Sequence, residues 1–283
     1  MPHVTLRYLP HDLADYINWA YFFHAWQIAP RFASVVETHG CIACRTAWAE
    51  TFPETDRPEA HAAAGLLSDA EAMLQWLEAE GIEAIARFAI LPCRADGDDL
   101  LFEGSWRLPC LRQQKPGKAC LCLTDFVLPA THGGNGDGVN DHVGLFATAM
   151  PCPTPTDMLC QTVCDRLAEA AAEKMHEEVR KRYWGYAPEE NLPITALHRE
   201  EFQGIRPAVG YPCLPDQRII FPIHHRLRLE EIGITLTENG AMNPHAATCG
   251  LMFAHPAAHY FAVGEIGEDQ RNDYERRLTE NAV

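Results

Sequence analysis

Basic side chains are scarce: 23 lysines and arginines face 39 aspartates and glutamates, for a net charge of −16. A field of that sign repels phosphate backbones and anionic lipid, so neither nucleic acid nor a membrane surface is expected as a partner. No apolar run approaches the ~18–20 residues that a membrane helix needs. The opening stretch MPHVTLRYLPHD lacks a basic segment leading into an apolar core. No signal peptide is therefore expected, and a cytoplasmic setting is. Also missing are a P-loop, G-x-S-x-G and H-E-x-x-H. The glycines at 133, 134, 136 and 138 do not fit G-x-G-x-x-G, so HGGNGDGV reads as a solvated loop. There is no internal repeat and no heptad pattern. His224 and His225 are adjacent, so their side chains diverge and a metal pair is not expected.

What is present suits an ordinary globular protein: 47% hydrophobic and 22% charged residues over 283 positions, enough for one large domain or two small ones. The 11 cysteines are an odd number, and in a reducing compartment they are expected as free thiols packed like small hydrophobes. DLADYINWAYFFHAWQIA (12–29) reads as a buried helix, or helix plus turn. Residues 37–65, with Cys41 and Cys44, read as an irregular or partly helical insertion. Ser68 and Glu71 form a capping-box pattern that predicts a helix starting there and ending at Gly81. EAIARFAIL, the turn RADGDD and LLFEG predict a hairpin, and KACLCLTDFVLP another buried strand. Thr154 and Asp157 predict the start of the longest helix, which carries Leu159, Val163, Leu167, Ala171, Met175 and Val179 in steps of four. ATCGLMF and YFAVGEI (260–266) flank AHPAAH as a second hairpin. Hairpins mixed with helices argue for an α+β fold.

Three constellations carry possible chemistry. QGIRPAVGYPCLPD (203–216) sets Arg206 and Tyr211 among three prolines and two glycines. A preorganised guanidinium fork suits a carboxylate, so the stretch is either a site for a small anionic or zwitterionic ligand or a rigid loop with an arginine packed along it. HGCIAC places Cys41 and Cys44 at C-x-x-C spacing. A zinc site needs four ligands, with His39, His61, Cys120 and Cys122 as candidates, but no second C-x-x-C exists. The pair is therefore expected as free thiols, with metal or redox use the lesser alternative. Tyr260 and Phe261 either pack in the core or line a pocket for a flat heterocycle.

RLAEAAAEKMHEEVRKRYWGYAPEENL, REEFQGIRPAVGYPCLPD, LTENGAM and GLMFAHPAAHYFAVGEIGEDQRNDY together resemble the activation (reactivation) domain of cobalamin-dependent methionine synthase. DYINWAYFFHAW, LSDAEAMLQWL, LRQQ and CLTDFVLP match its earlier landmarks more loosely. The resemblance covers about residues 12–278. It implies one mixed α+β domain over 1–283, with a central twisted antiparallel sheet flanked by helices. It also implies S-adenosylmethionine binding by Asn18, Arg206, Ala208, Tyr211, Tyr260 and Phe261, with no catalytic residue and no metal of its own. Cobalamin would be met only through a partner, a separate methionine synthase or other corrinoid protein, and flavodoxin or another donor would supply the electron. The expected function is a stand-alone protein that supports reductive methylation of cob(II)alamin and shows no turnover alone. The alternative is a docking or sensor module with weakened S-adenosylmethionine binding.

Two departures bear on this. The family places an aspartate before the tryptophan of the first motif, where this chain has Asn18 before Trp19. The text after LTE also differs, with Asn239-Gly240 and NPHAATCG. The chain contains no D-x-H-x-x-G cobalamin signature. Contact with an acidic flavodoxin would need a local basic patch, with Arg180, Lys181 and Arg182 as the candidate, or else the electron donor is a different one.

Overall fold

A computed structural model describes residues 3–103, 106–115, 119–130, 141–153 and 157–280. In chain order the elements are β1 (Val4–Tyr8), α1 (Pro10–Leu13), α2 (Trp19–Ala25), α3 (Ile42–Glu50), α4 (Arg57–Ala79), β2 (Ala84–Asp96), β3 (Asp99–Phe102), β4 (Arg107–Pro109), β5 (Asp141–Ala149), α5 (Met158–Glu178), α6 (Ile194–Leu197), α7 (Ile220–Leu227), β6 (Thr235–Leu236), β7 (Met242–Asn243), β8 (Ala247–Met252) and α8 (Glu268–Glu280). The main sheet is antiparallel throughout, in the order β4-β3-β2-β5-β8. β1 pairs with the first half of β2 on the edge whose second half takes β3. The α+β expectation holds.

β2 runs for thirteen residues because both its faces are covered. Ala84, Ala86 and Phe88 join a core with α4 and α5, while Ile85, Ala89 and Leu91 join a second core with α7 on the other face. A period of two thus splits one apolar run between two layers. Arg87 interrupts the second face. Its guanidinium donates to the carbonyls of Leu227 (3.2 Å) and Arg228 (2.9 Å), capping the end of α7. α5 lies against the sheet through alanines 168, 171 and 172, and the buried Thr148 hydroxyl donates to Ala168 O at 2.8 Å. The stripe from Leu159 to Val179 packs as its spacing predicts.

Four expectations need correction. First, of the irregular and partly helical readings of 37–65 the helical one holds: α3 and the first turns of α4 occupy most of the segment. Ser68 and Glu71 sit inside α4, not at its start. Arg45 draws both away from capping, donating to Ser68 Oγ at 2.5 Å and to Glu71 at 2.6 Å. Second, 119–129 contains a 3-10 turn at Leu123–Phe126 and only an isolated bridge from Pro129 to Ala95. Asp125 accepts from the Cys122 backbone and from Arg112, which bends the chain.

Third, 260–266 forms no strand with 247–253. The outer edge of β8 is taken instead by residues 205–209. Fourth, two of the three residues of the basic patch are taken by internal pairing, and Arg182 alone stays exposed. Arg180 is fully buried, bound to Glu190 and set over Phe202, and Lys181 pairs with Glu177. The glycine-rich stretch 131–140 and Thr154 lie outside the described residues. Asp157 caps α5 by accepting from Cys160 N at 2.8 Å.

Candidate functional site

The motif around Arg206 is held as an extra edge of the sheet. Ile205 and Phe253 exchange two backbone hydrogen bonds of 3.0 Å. Pro207 O accepts from Leu251 N, and Val209 N donates to Cys249 O. Pro207 has no N–H to offer, so a proline here fits an edge and not a central strand. The backbones approach closely because two positions lack a Cβ. A Cβ on Gly250 would lie 2.1 Å from Pro207 O, and one on Gly204, where φ is +88°, 2.4 Å from Phe253 O. The rigidity legible in GIRPAVG is therefore sheet-like pairing against β8.

Arg206 is thereby aimed into a cavity of about 640 Å³ between α5, the first helices and the 205–211 stretch. Its side chain is 12% exposed and pairs with Glu173 on α5. The guanidinium also lies 5.7 Å from the Phe146 ring centroid, and its backbone N–H donates to the Tyr260 hydroxyl at 3.0 Å. Burial works against the charge on Arg206, yet Glu173 leads a set of neighbours that hold its pKa above the ordinary value.

Asn18, Arg206, Ala208, Tyr211 and Tyr260 all line this one cavity, although they lie up to 242 positions apart (260 − 18). Tyr211 and Tyr260 have ring centroids 6.1 Å apart. Phe261 is not among the lining residues. Its ring packs toward Phe126, at 6.3 Å, in the second core. Asn18 sits at the N-cap of α2 without capping it.

The lining contains residues that the sequence reading did not single out. Asp165, Glu169 and Glu173 come from α5 at four-residue spacing, a helix-face signal that was available. Glu200 also lines the cavity and holds a left-handed backbone, with φ +58°, which is uncommon for a non-glycine residue. His245, in the altered NPHAATCG text, lines it too and lies 3.0 Å from Gln161.

Four carboxylates and two guanidiniums, Arg166 and Arg206, therefore face one space. Burial raises the pKa of Glu169, against the pull of Arg166. Burial, then the charge of Glu173, does the same to Glu200. Arg206 Nη1 and Glu173 Oε2 are buried without a hydrogen-bond partner, so each group of the pair keeps an atom available to a ligand. Such a lining suits a metabolite that carries a carboxylate together with more than one cationic centre.

A second cavity, of about 560 Å³, lies by β4, α7 and α8, with Trp106, Phe221, Pro222 and Leu278 in its wall. Its charged residues, Arg107, Arg218, Arg226 and Glu275, are mostly basic, so it lacks the carboxylate cluster of the first. Cys41 and Cys44 are exposed and line neither cavity. Hydrogen bonds from Cys44, side chain and backbone, and then His39, bring the Cys41 thiol down to about 7.

Fold and site thus define a class: an antiparallel α+β domain with a mixed-charge pocket on one face of its sheet. The chain belongs to the family described as the vitamin B12 dependent methionine synthase activation domain, whose sequence model matches residues 10–279. It is also similar to a crystal structure of the MetH reactivation domain bound to AdoHcy, at 33% identity and a TM-score of 0.82. That similarity covers 99% of this chain and 86% of the other.

Proposed function

We propose that this protein binds S-adenosylmethionine in the Arg206 cavity and supports reductive methylation of cob(II)alamin carried by a corrinoid partner. The observation that carries the reading is the Arg206–Glu173 pair in a cavity with three further carboxylates, in a chain 33% identical to a domain seen with AdoHcy. Arg206 Nη1 has hydrogen-bonding capacity left for a carboxylate, and the acidic lining fits an ammonium and a sulfonium. Tyr211 and Tyr260 would border the adenosine.

S-adenosylmethionine, when bound, supplies the sulfonium methyl, and flavodoxin or another one-electron donor supplies the electron. The chain's own part is to bind and orient: a guanidinium fixed by sheet-like pairing loses little entropy on binding. The family is an activation domain of a cobalamin-dependent methionine synthase, which supports assigning the corrinoid to a methionine synthase or similar partner. The protein alone should bind without turnover.

Calorimetry with S-adenosylmethionine tests the site. Binding that Arg206→Ala weakens is expected, and no heat at millimolar ligand would refute the reading. Conversion of cob(II)alamin to methylcobalamin on an added corrinoid methionine synthase lacking its own activation domain, with S-adenosylmethionine and a one-electron donor supplied, tests the role. One observation favours a second reading, a docking or sensor module with weakened binding: Asn18 puts a neutral carboxamide where the family has a charge.

A further inference from the structure

The structure brings a third donor to the cysteine pair. A ring nitrogen of His39, Cys41 Sγ and Cys44 Sγ all lie within 4.8 Å of one another. Of the other candidates, His61, Cys120 and Cys122 take no part in this cluster. The three residues stand at the start of the nine-residue helix α3, with Cys41 at its N-cap. Cys44 N donates to Cys41 Sγ at 3.3 Å, and Cys41 N donates to His39 Nδ1 at 3.3 Å. Arg45, the residue after Cys44, is 4% exposed and is tied into α4 through Ser68 and Glu71. The donors therefore stand on an anchored helix end and not on a free loop.

The donor set selects the ion. Two sulfurs and one imidazole nitrogen, with no carboxylate in the group, disfavour Mg²⁺ and Ca²⁺ and suit a borderline-soft cation such as Zn²⁺. With Zn–S near 2.3 Å, two sulfurs around a tetrahedral ion stand ~3.8 Å apart, so closure from a spacing within 4.8 Å takes at most about 1 Å of side-chain movement. Cys44 N already donates to a sulfur that would carry negative charge. A disulfide between the cysteines would give His39 no part to play.

We propose that His39, Cys41 and Cys44 form a Cys₂His site for Zn²⁺, separate from the Arg206 cavity, with the fourth position open to solvent. Binding releases the two thiol protons to the medium. The proposal does not depend on the function assigned to the cavity.

The test uses the full chain without an affinity tag, reduced and freed of metal with a chelator. Co²⁺ is the spectroscopic probe, and metal content is measured after Zn²⁺ addition and gel filtration. The expected result is one equivalent of metal, with thiolate-to-cobalt charge-transfer absorption that Zn²⁺ displaces. Cys41→Ser and Cys44→Ser should abolish it. All three side chains lie at the surface, and unchanged circular dichroism would verify folding. His39→Ala should weaken binding by more than the ~10–100-fold that loss of an outer-shell partner costs. The proposal is overturned by absence of the band in reduced protein, by a band that survives both cysteine substitutions, or by a His39→Ala variant that binds as tightly as the parent. A pair that only oxidises to a disulfide and takes up no metal overturns it equally.

Discussion

Arg206 concentrates the functional argument in one side chain, so substitutions there are informative. Arg206→Ala removes a charge-assisted contact worth ~1.5–3 kcal/mol and leaves Glu173 unpaired. A loss of S-adenosylmethionine affinity of roughly 10–150-fold is expected by calorimetry. Asn18→Asp should act in the opposite direction. Restoring an anion opposite a cationic ligand is worth about 1–2 kcal/mol, or roughly tenfold in affinity. No gain would point to a ligand of different chemistry. Acidification supplies a third residue-scale test. Glu169 and Glu200 have pKa values raised above 4.5, so they take up protons before ordinary carboxylates do. A cationic ligand needs them ionised, so its affinity should fall on acidification at a pH above that at which ordinary carboxylates titrate. The same shifts act oppositely on stability. The folded chain holds these protons more tightly than the unfolded one, so their ionisation destabilises it as pH rises through the same range.

Two contacts between elements carry predictions of their own. Gly250→Ala would drive a methyl group to 2.1 Å from Pro207 O. The 205–209 stretch must then leave β8, at a cost of ~1–3 kcal/mol in thermal or denaturant unfolding, with loss of the cavity wall. Glu190→Ala strands the fully buried Arg180 guanidinium. About 3–5 kcal/mol of stability should be lost, and replacing both partners with apolar residues should cost far less.

Elements were legible where a local signal matched a local cause. The hairpin of β2 and β3 followed from its turn, and the stripe on α5 from its spacing. The start of α4 was misplaced because Ser68 and Glu71 imitate a cap, while their real partner, Arg45, lies more than twenty positions away. The 260–266 segment looked like a partner for β8, but a proline-containing stretch from elsewhere had already taken that edge.

At the scale of the whole molecule, the net charge of −16 governs encounters. With Arg180 buried and Lys181 paired, two of the three residues of the basic cluster expected to offset that field are spent on internal contacts, and Arg182 alone stays exposed. Association with an acidic electron donor should therefore strengthen as ionic strength rises and shortens the ~10 Å screening length, the reverse of an opposite-charge complex. Association rates measured across a salt series decide this.

By itself the sequence determined the mixed α+β class, the stiffness around Arg206 and the sign of the charge, because these depend on residue type and short-range spacing. Only the tertiary structure decided that Asn18, Glu169, Glu200, Arg206 and Tyr260 face one space while Phe261 turns to another, and that His39 completes a group with Cys41 and Cys44. Which edge a strand pairs with, and which charge is buried beside which, depends on competition among distant segments. No local pattern encodes the outcome of that competition.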